Sequence, residues 1–389
     1  MIIVVDVMQV VFWLVVGTIL WTYAGYPALL AMLAAFRARN VVMGAIEPKV
    51  TVVISAYNEE KDILRKLGNT LALEYPPDKL EIIVASDCST DRTHEIVQAL
   101  APRGVRLAVL PERRGKTAAQ NLAASLATGE ILLFTDATTE FAPDTVRGLV
   151  QGFADPRVGC VGAELSYVSE RGTAVGKGGG AYWRYEKKVK ELEARVHSLV
   201  GVSGCLYAVR AAAYRPIEPE LISDFVVAGD VFSRGYITVY GSGTVSQEKT
   251  HEDAHKEFDM RVRVIIRTIN ALVRRARMLN PLRYRFFAFQ IFSHKVLRYL
   301  VPELLLATFA VGVVLSRSES PYAPLYGALT LAQLIVYAAA ILGWLSLKLR
   351  LRIPLVHIPF YFVIANVAAL WAFVMYLRGE RKVVWNTVR

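Results

Sequence analysis

The sequence predicts an α/β protein with a doubly wound sheet in its middle and transmembrane helices at both ends. From Val50 onward, short apolar runs alternate with helical patterns at the spacing of a doubly wound sheet. Long apolar segments lie near both termini, and hydrophobic residues make up 54% of the 389 residues. Within Ile131–Glu140 an apolar run leads to Asp136, which predicts a buried strand with a carboxylate at its carboxyl end. Open α/β sheets bind ligands at that edge, although Asp136 also fits a simple helix cap.

The predicted elements follow in a regular order. Strands are predicted over Val50–Ser55, Leu80–Ser86, Val105–Leu110, Ile131–Thr135 and Gly159–Tyr167. Helices are predicted over Glu59–Leu73, Asp91–Leu100, Thr117–Leu126 and Tyr182–His197, the last after a glycine-rich break. A basic helix, Phe258–Met278, then precedes a helix of interfacial composition, Pro281–His294.

The first apolar segment, Val10–Phe36, is long enough to cross a bilayer of roughly 30 Å. A cleaved signal peptide has its positive charge before the apolar run, whereas here Arg37 and Arg39 follow it. The pattern therefore predicts an uncleaved anchor, with the N-terminus outside and the following chain in the cytoplasm.

Three further apolar segments, about Val296–Leu315, Tyr322–Leu347 and Ile353–Leu377, are predicted to span the membrane. Four crossings would return the C-terminus to the outside, yet Arg378–Arg389 is strongly basic and favours the cytoplasm. Either one segment does not cross, or one boundary is wrong.

The net charge of +11 does not indicate nucleic-acid binding, because the basic residues form no single patch with interleaved aromatics. Many of them flank apolar segments, which is typical of contact with anionic lipid head groups. The three cysteines, Cys88, Cys160 and Cys205, lack metal-type spacing and predict reduced, buried thiols.

Polar residues follow two predicted strands, at Ser55–Glu60 and Asp87–Asp91. Because carboxyl ends of parallel strands meet at one edge, we expect these residues to lie near Asp136. The glycine motifs of nicotinamide, flavin and P-loop sites are absent. This favours a nucleotide held through its base and ribose, with a metal ion at the phosphates.

An ordered series of motifs supports this view. It comprises Ser55-Ala56-Tyr57-Asn58-Glu59, Asp87-Cys88-Ser89-Thr90-Asp91, Lys116-Thr117-Ala118-Ala119-Gln120-Asn121, Asp136-Ala137-Thr138, Gly201-Val202-Ser203-Gly204, Ser223-Asp224 and Arg234-Gly235-Tyr236. The series resembles the family 2 glycosyltransferases, and among them the membrane-embedded hyaluronan, cellulose and chitin-oligosaccharide synthases. The resemblance implies a GT-A fold with a mixed sheet, and a domain order of anchor (1–40), catalytic domain (41–257), basic and interfacial helices (258–295) and C-terminal membrane region (296–389).

The resemblance also assigns roles. Donor-binding residues would be Ala56, Tyr57, Asn58, Glu59, Asp87, Lys116, Asp136, Arg263 and Arg267. Asp224 would be the catalytic base, and Gly204 and Cys205 would contact the acceptor. Apart from the resemblance, the aromatic rings of Trp183 and Tyr185 could stack on its sugar rings. Mg²⁺ or Mn²⁺ would be held by Asp136 and Thr138.

The chain departs from the family pattern at three places. Cys88 replaces a glycine, and Thr138 stands where the metal motif has a second aspartate. The processive members' Gln-x-x-Arg-Trp is replaced by Arg263-Val264-Ile265-Ile266-Arg267, which weakens the case for long-chain synthesis. The two arginines are spaced i, i+4 and share a helical face that suits phosphate oxygens.

The leading hypothesis is an inverting glycosyltransferase that uses a UDP-sugar and extends a polysaccharide or glycolipid. It would be a multi-pass protein of the plasma (inner) membrane, with its catalytic domain in the cytoplasm. Its partners would be the lipid bilayer and proteins of a polysaccharide export system, and no nucleic acid is expected to bind. The alternatives are a non-catalytic scaffold that binds nucleotide sugar and, ranked last, a transporter.

Several of these residues also have a purely structural explanation, and Trp183 alone fits aromatic packing under its helix. Tyr57-Asn58-Glu59 fits a helix start, and Asp87 with Asp91 fits a turn and a helix cap. Asp224 alone fits a surface position, and the arginines fit a solvated stripe. His251 and His255 are spaced i, i+4 in a polar segment, so a metal role for them stays open.

Overall fold

The computed structural model describes residues 2–168, 174–249, 254–349, 351, 353 and 355–381. Its strands are β1 (Val50–Ala56), β2 (Leu80–Ser86), β3 (Val105–Val109), β4 (Ile131–Asp136), β5 (Glu140–Phe141), β6 (Val158–Val168), β7 (Leu206–Arg210) and β8 (Ile237–Lys249). Its α-helices are α1 (Ile2–Leu20), α2 (Tyr26–Phe36), α3 (Ile63–Leu71), α4 (Thr93–Gln98), α5 (Lys116–Leu126), α6 (Thr145–Val150), α7 (Ala174–Val196), α8 (Ser223–Ser233), α9 (Ala254–Arg274), α10 (Pro281–Ile291), α11 (Leu297–Leu315), α12 (Ala323–Lys348) and α13 (His357–Leu377). His251 and residues 382–389 of the predicted basic tail lie outside the described residues.

The strands described form one sheet in the order β3-β2-β1-β4-β7-β6-β8-β5. The first four strands in this order are parallel, as the alternation of strands and helices predicts. The register pairs Ser55 with Asp136 and Ala56 with Ser86, so the ends of β1, β2 and β4 lie at one edge. That edge is where we expected the functional residues.

Beyond β4 the sheet becomes mixed, because β7 runs antiparallel to both β4 and β6. Strand β8 is parallel to β6, and the two-residue β5 closes the far edge antiparallel to it. The predicted α/β fold with a mixed sheet is confirmed. The pattern analysis missed β7 and β8, and α7 begins at Ala174 and continues through the glycines that were expected to break it.

Alternate residues of the central strands enter two separate cores. Val53, Ile83 and Phe134 belong to the core on one face of the sheet, whereas Ile54 and Val84 belong to the core on the other face. All are almost completely buried. Because the sheet is covered on both faces, most positions of β1, β2 and β4 are apolar, and polar residues within them such as Thr51 and Thr135 are buried too.

Four helical segments are long and apolar enough to cross a membrane, judged by length and composition among the described residues: Ile3–Phe36, Pro281–Leu315, Ala323–Lys348 and His357–Leu377. A π-helical segment (Trp21–Gly25) joins α1 to α2, and another (Phe292–Val296) joins α10 to α11, so each pair of helices forms a single long segment. Helix α1 of the first segment packs on α11. Near the N-terminus of α1, Gln9 donates a hydrogen bond to Ser320, which follows α11 (2.8 Å).

Helix α13 has a different environment from α12. Its small residues Ala368, Ala369 and Ala372 are buried against Val262 and Ile266 of α9. Helix α9 in turn is fixed to the sheet domain, since Arg267 donates to the carbonyl oxygen of Leu221 (2.7 Å). The face of α13 that packs on α9 is therefore not exposed to lipid.

Candidate active site

A cavity of about 300 Å³ lies where the sheet edge, helices α7 to α9 and the candidate membrane helices meet. Eight of the predicted site residues line it: Lys116, Asp136, Trp183, Gly204, Cys205, Asp224, Arg263 and Arg267. Six others are not part of its lining: Ala56, Tyr57, Asn58, Glu59, Asp87 and Thr138. The cavity thus brings together groups that are far apart in the sequence.

Asp136 ends β4 and forms an ion pair with Lys116 at the start of α5 (2.5 Å). Burial lowers the pKa of Lys116, but the pairing with Asp136 outweighs burial and raises it overall. The same ammonium group donates to the carbonyl oxygen of Gly204 (3.0 Å). Lys116 therefore connects the sheet edge to the segment predicted to contact the acceptor.

Asp224 lies in the first turn of α8, and its main chain accepts a hydrogen bond from Val202 (3.0 Å). Burial raises the pKa of Asp224, and Lys116 and Arg267 partly offset this effect. A Cβ added to Gly204 would lie 2.9 Å from the carboxylate oxygen Oδ2 of Asp224. Glycine at this position therefore leaves room for the carboxylate inside the cavity.

The guanidinium groups of Arg263 and Arg267 both face the cavity from α9. Arg267 is 8% exposed and donates to Thr117 Oγ1 (3.1 Å) as well as to Leu221. Burial, and then the charge of Arg267, lower the pKa of Arg263 to about 10, and nearby Asp136 acts in the opposite direction. Two arginines this close favour an anionic ligand.

Asp87 is buried just outside the cavity, at the end of β2. Its Oδ1 accepts hydrogen bonds from the main-chain N–H groups of Arg114 (2.7 Å) and Gly115 (2.8 Å), directly before Lys116. The Arg113 guanidinium lies over the ring of Tyr57, 3.8 Å from its centroid. Asp87 thus fixes the loop that delivers Lys116.

The turns after β1 and β2, residues 55–60 and 87–91, are tied to each other; we call them the rim turns. The Asn58 side chain accepts from the Thr90 N–H (2.8 Å), and the Glu59 N–H donates to Thr93 Oγ1 (2.8 Å). Asp91 accepts from the N–H groups of Thr93 and Glu60, both at 3.0 Å. Asn58 and Asp91 therefore have structural hydrogen-bonding roles at this rim.

Cys88 has φ +58°, the left-handed conformation that favours glycine. The cysteine at the family's glycine position therefore keeps the shape of the turn at the expense of backbone strain.

Lys66 is a buried cation that the pattern analysis missed. Its ammonium group donates to Thr135 Oγ1 (3.1 Å) and to the carbonyl oxygen of Thr139 (2.6 Å), and it lies over the ring of Phe141. Burial lowers its pKa well below the usual value. The available signal was a lysine on the apolar face of α3, beside Leu67.

The residues at the end of β4 fit a divalent cation that completes its shell with substrate phosphates. Asp136 supplies a carboxylate and Thr138 an exposed hydroxyl in the turn that follows, an all-oxygen set of the kind Mg²⁺ and Mn²⁺ accept. Among the described residues no group of three or more His, Cys, Asp or Glu side chains is arranged for a metal. His255 is exposed on α9 and does not line the cavity.

Comparisons with known proteins agree with these observations. The model of the family described as Glycosyl transferase family 2 matches residues 51–216. An N-acetylglucosaminyltransferase of Rhizobium leguminosarum bv. trifolii is 32% identical over 132 residues, which cover 33% of this chain and 72% of that protein. The succinoglycan biosynthesis protein ExoO of Rhizobium meliloti is 32% identical over 31% of this chain and 32% of its own length. A beta-monoglucosyldiacylglycerol synthase of Trichormus variabilis is 33% identical over 36% of this chain and 31% of its own length. The match spans about a third of the length of these last two relatives.

Among solved structures, a mannosyltransferase of Pyrobaculum calidifontis, determined with GDP-Man and Mn²⁺, superposes with a TM-score of 0.68. The superposition covers 93% of this chain and 99% of that protein at 23% identity. The likeness extends beyond the sheet domain to most of the chain, and it establishes the GT-A type of fold.

Proposed function

Because this chain belongs to the family 2 glycosyltransferases, we propose that it is a membrane-bound inverting enzyme that moves a sugar from a nucleotide-sugar donor to a glycan or glycolipid acceptor. The observation that supports this most is the cavity, in which Lys116 and Asp136 lie across from Asp224 beside the membrane helices. Donor-side and acceptor-side groups thus share one enclosed space.

In the proposed reaction an acceptor hydroxyl attacks the anomeric carbon, and the bond to the nucleoside diphosphate breaks. Asp224 takes the proton of that hydroxyl, and its raised pKa makes it a better base than an ordinary aspartate. Arg263, Arg267 and Lys116 face the charge that develops on the departing diphosphate. Gly204, Cys205 and Trp183 line the acceptor side.

Asp136, with Thr138 beside it, would hold Mg²⁺ or Mn²⁺, and the ion would supply positive charge at the diphosphate oxygens. We propose UDP-sugars as donors, with the rim turns and Asp87 at the nucleoside. Because Arg263-Val264-Ile265-Ile266-Arg267 departs from the processive motif, addition of one or a few sugars is favoured over synthesis of a long polymer.

The direct test is release of UDP from a panel of UDP-sugars by the purified chain in detergent with Mg²⁺ or Mn²⁺. Asp224→Asn should lower turnover by about 10²- to 10⁴-fold, because it removes the base and keeps the size of the side chain. Asp78→Asn, at an exposed aspartate, is the matched control and should keep wild-type turnover. Equal turnover in Asp224→Asn and wild type would contradict the assignment.

A second candidate is a nucleotide-sugar-binding scaffold without turnover, and Thr138 in place of the second metal aspartate is the observation that favours it. It predicts that UDP binds, that no UDP-sugar is consumed, and that Asp224→Asn binds UDP as the wild type does. The same panel therefore separates the two candidates.

For the membrane arrangement we propose that the N-terminus lies outside, the catalytic domain lies in the cytoplasm, and three segments cross the plasma membrane. The proposed crossings are Ile3–Phe36, Pro281–Leu315 and Ala323–Lys348. Helix α13, which packs on α9 as well as on α11 and α12, would be the segment that does not cross. This arrangement keeps the basic residues after Leu377 in the cytoplasm, as their charge favours.

A membrane-impermeant maleimide applied to intact cells tests this arrangement. It should label Glu319→Cys, between α11 and α12, and should not label a cysteine added after Arg389 until the cells are opened. Labelling of the C-terminal cysteine in intact cells would show a fourth crossing.

A further inference from the structure

The membrane side of the cavity is built from different elements than the donor side. Tyr23, Lys295 and Arg298 belong to candidate membrane segments, Asn366 lies on α13, and Lys190 reaches the same space from α7. A ligand that enters here contacts both the membrane helices and the groups around Asp224. This is the position expected for an acceptor attached to a lipid.

The cavity lining has an excess of positive charge, with seven basic and three acidic side chains. Three of the basic residues, Lys116, Arg263 and Arg267, are the donor-side cations described above. Two more have acidic partners: Arg261 pairs with Glu257 (2.8 Å), and Arg298 contacts Glu186. Lys190 and Lys295 are the two basic residues of the lining that remain.

Among the described residues, no carboxylate lies within 4.0 Å of the ammonium group of Lys190 or of Lys295. The two lysines are close enough to repel each other. Burial, and next the charge of Lys295, lower the pKa of Lys190 to about 8. The charges of Asp224 and Glu193 act on the pKa of Lys190 in the opposite direction, and both lysines act on the pKa of Asp224, but neither lysine has a carboxylate in ion-pair contact in the part of the chain that the structure describes. Two like charges held together in this way are unfavourable, so this part of the cavity is suited to a further anionic group.

We propose that Lys190 and Lys295 bind the phosphate group of a lipid phosphate, which positions the acceptor beside Asp224. The role of this lipid as the sugar acceptor rests on the proposed function, whereas its binding to the two lysines does not depend on turnover. Lysine recognises phosphate as a point charge, and the neighbouring membrane segments provide an apolar surface for the lipid chain. A neutral glycolipid would leave both lysines without an ion-pair partner within 4.0 Å among the described residues.

The test measures binding to the full-length chain in nanodiscs of neutral lipid, with phytanyl phosphate, dioleoylglycerol and inorganic phosphate as probes. We expect phytanyl phosphate to bind more tightly than either of the other two. Lys190→Gln and Lys295→Gln should each weaken phytanyl phosphate binding about tenfold, as expected for the loss of one charged contact. Lys190→Arg and Lys295→Arg should retain binding, which separates charge from misfolding.

Lys188→Gln is the matched control, because Lys188 lies on the same helix with an exposed side chain. Equal binding by Lys188→Gln and the two cavity variants would overturn the proposal. Inorganic phosphate binding as tightly as phytanyl phosphate would assign the lysines to a free anion instead. UDP affinity is measured in parallel: a tenfold loss of UDP affinity with unchanged phytanyl phosphate binding would assign them to the donor.

The outcomes also separate this proposal from the proposed function. If phytanyl phosphate binds through the two lysines but no UDP-sugar is consumed, the phosphate site stands and the enzyme assignment fails. If UDP-sugars are consumed and the variants bind phytanyl phosphate as the wild type does, the enzyme assignment stands and the phosphate site fails.

Discussion

The rim turns and the cavity both contain predicted site residues, but they use carboxylates in different ways. At the rim turns, Asp91 accepts main-chain hydrogen bonds, and neighbouring Asp87 does the same. In the cavity, Asp136 faces a lysine and Asp224 lies among cations. A carboxylate engaged by main-chain N–H groups stabilises a loop, whereas a carboxylate that faces cations in a cavity is placed to meet a ligand. Changes at the rim turns should therefore affect stability and donor affinity, and changes in the cavity should affect turnover.

Apart from the loss of the base in Asp224→Asn, the largest effect is expected at the cavity, from Gly204→Ala. The new methyl group would displace the Asp224 carboxylate, because its Cβ position lies 2.9 Å from Oδ2. Turnover should fall by about 100-fold, the loss that a displacement of about 1 Å can cause. UDP release and the thermal unfolding midpoint are the measurements.

Gly201→Ala is the matched control for this substitution. Its Cβ would approach no atom closer than 3.7 Å, so it should keep most of the activity. Equal losses in the two variants would mean that the loop, and not the Asp224 carboxylate, is sensitive.

At the rim turns, Asp91→Ala should lower the free energy of unfolding by about 1–2 kcal/mol, because it removes hydrogen bonds at the start of α4. Turnover per folded molecule should change much less than in Gly204→Ala. Chemical denaturation, with Asp78→Ala as control, measures the free energy of unfolding, and UDP release measures turnover. A 100-fold loss of turnover without a loss of stability would place Asp91 in the catalytic machinery.

A smaller effect of opposite sign is expected from Cys88→Gly. Relief of the left-handed strain should raise the free energy of unfolding by about 1 kcal/mol. Cys88→Ala keeps a Cβ at this φ and should show no gain. A gain in both variants would attribute the effect to the thiol.

The smallest effect concerns pH. Asp224 acts as a base only when it is deprotonated, and burial raises its pKa, so turnover should fall on the acidic side at a higher pH than for an ordinary aspartate. Lys190→Gln removes one of the charges that offset burial and should move this limb to still higher pH. A pH profile of turnover for both proteins checks the direction, and a shift to lower pH would contradict the placement of Lys190 near the base.

Local patterns predicted the half of the sheet in which they are strongest. Strands β1, β2 and β4 lie between the two cores, so most of their residues are apolar. Strand β7 is only five residues long, and β8 contains Gly, Ser and Thr, so neither has a distinctive pattern. Their places in the sheet depend on contacts with distant strands.

In the candidate site, too, local sequence patterns do not show which distant residues meet. Motif order indicated Lys116, Asp136 and Asp224, all of which line the cavity. Lys190 and Lys295 have no motif, because they meet only through the packing of α7 against the membrane helices, about a hundred residues apart in the chain. The hydropathy of α13 indicated a membrane span, but its packing on α9 is not visible in composition.

The ion pair at the end of β4 has a consequence for how a metal ion would bind. Asp136 is adjacent to Lys116 and Arg263, so the local charge is positive before any donor arrives. A free divalent ion is therefore repelled, and the negative diphosphate reverses the balance. Ion and donor should then bind cooperatively: Mn²⁺ affinity should be weak for the protein alone and should strengthen when UDP is added, and UDP affinity should rise with Mn²⁺ by the same factor.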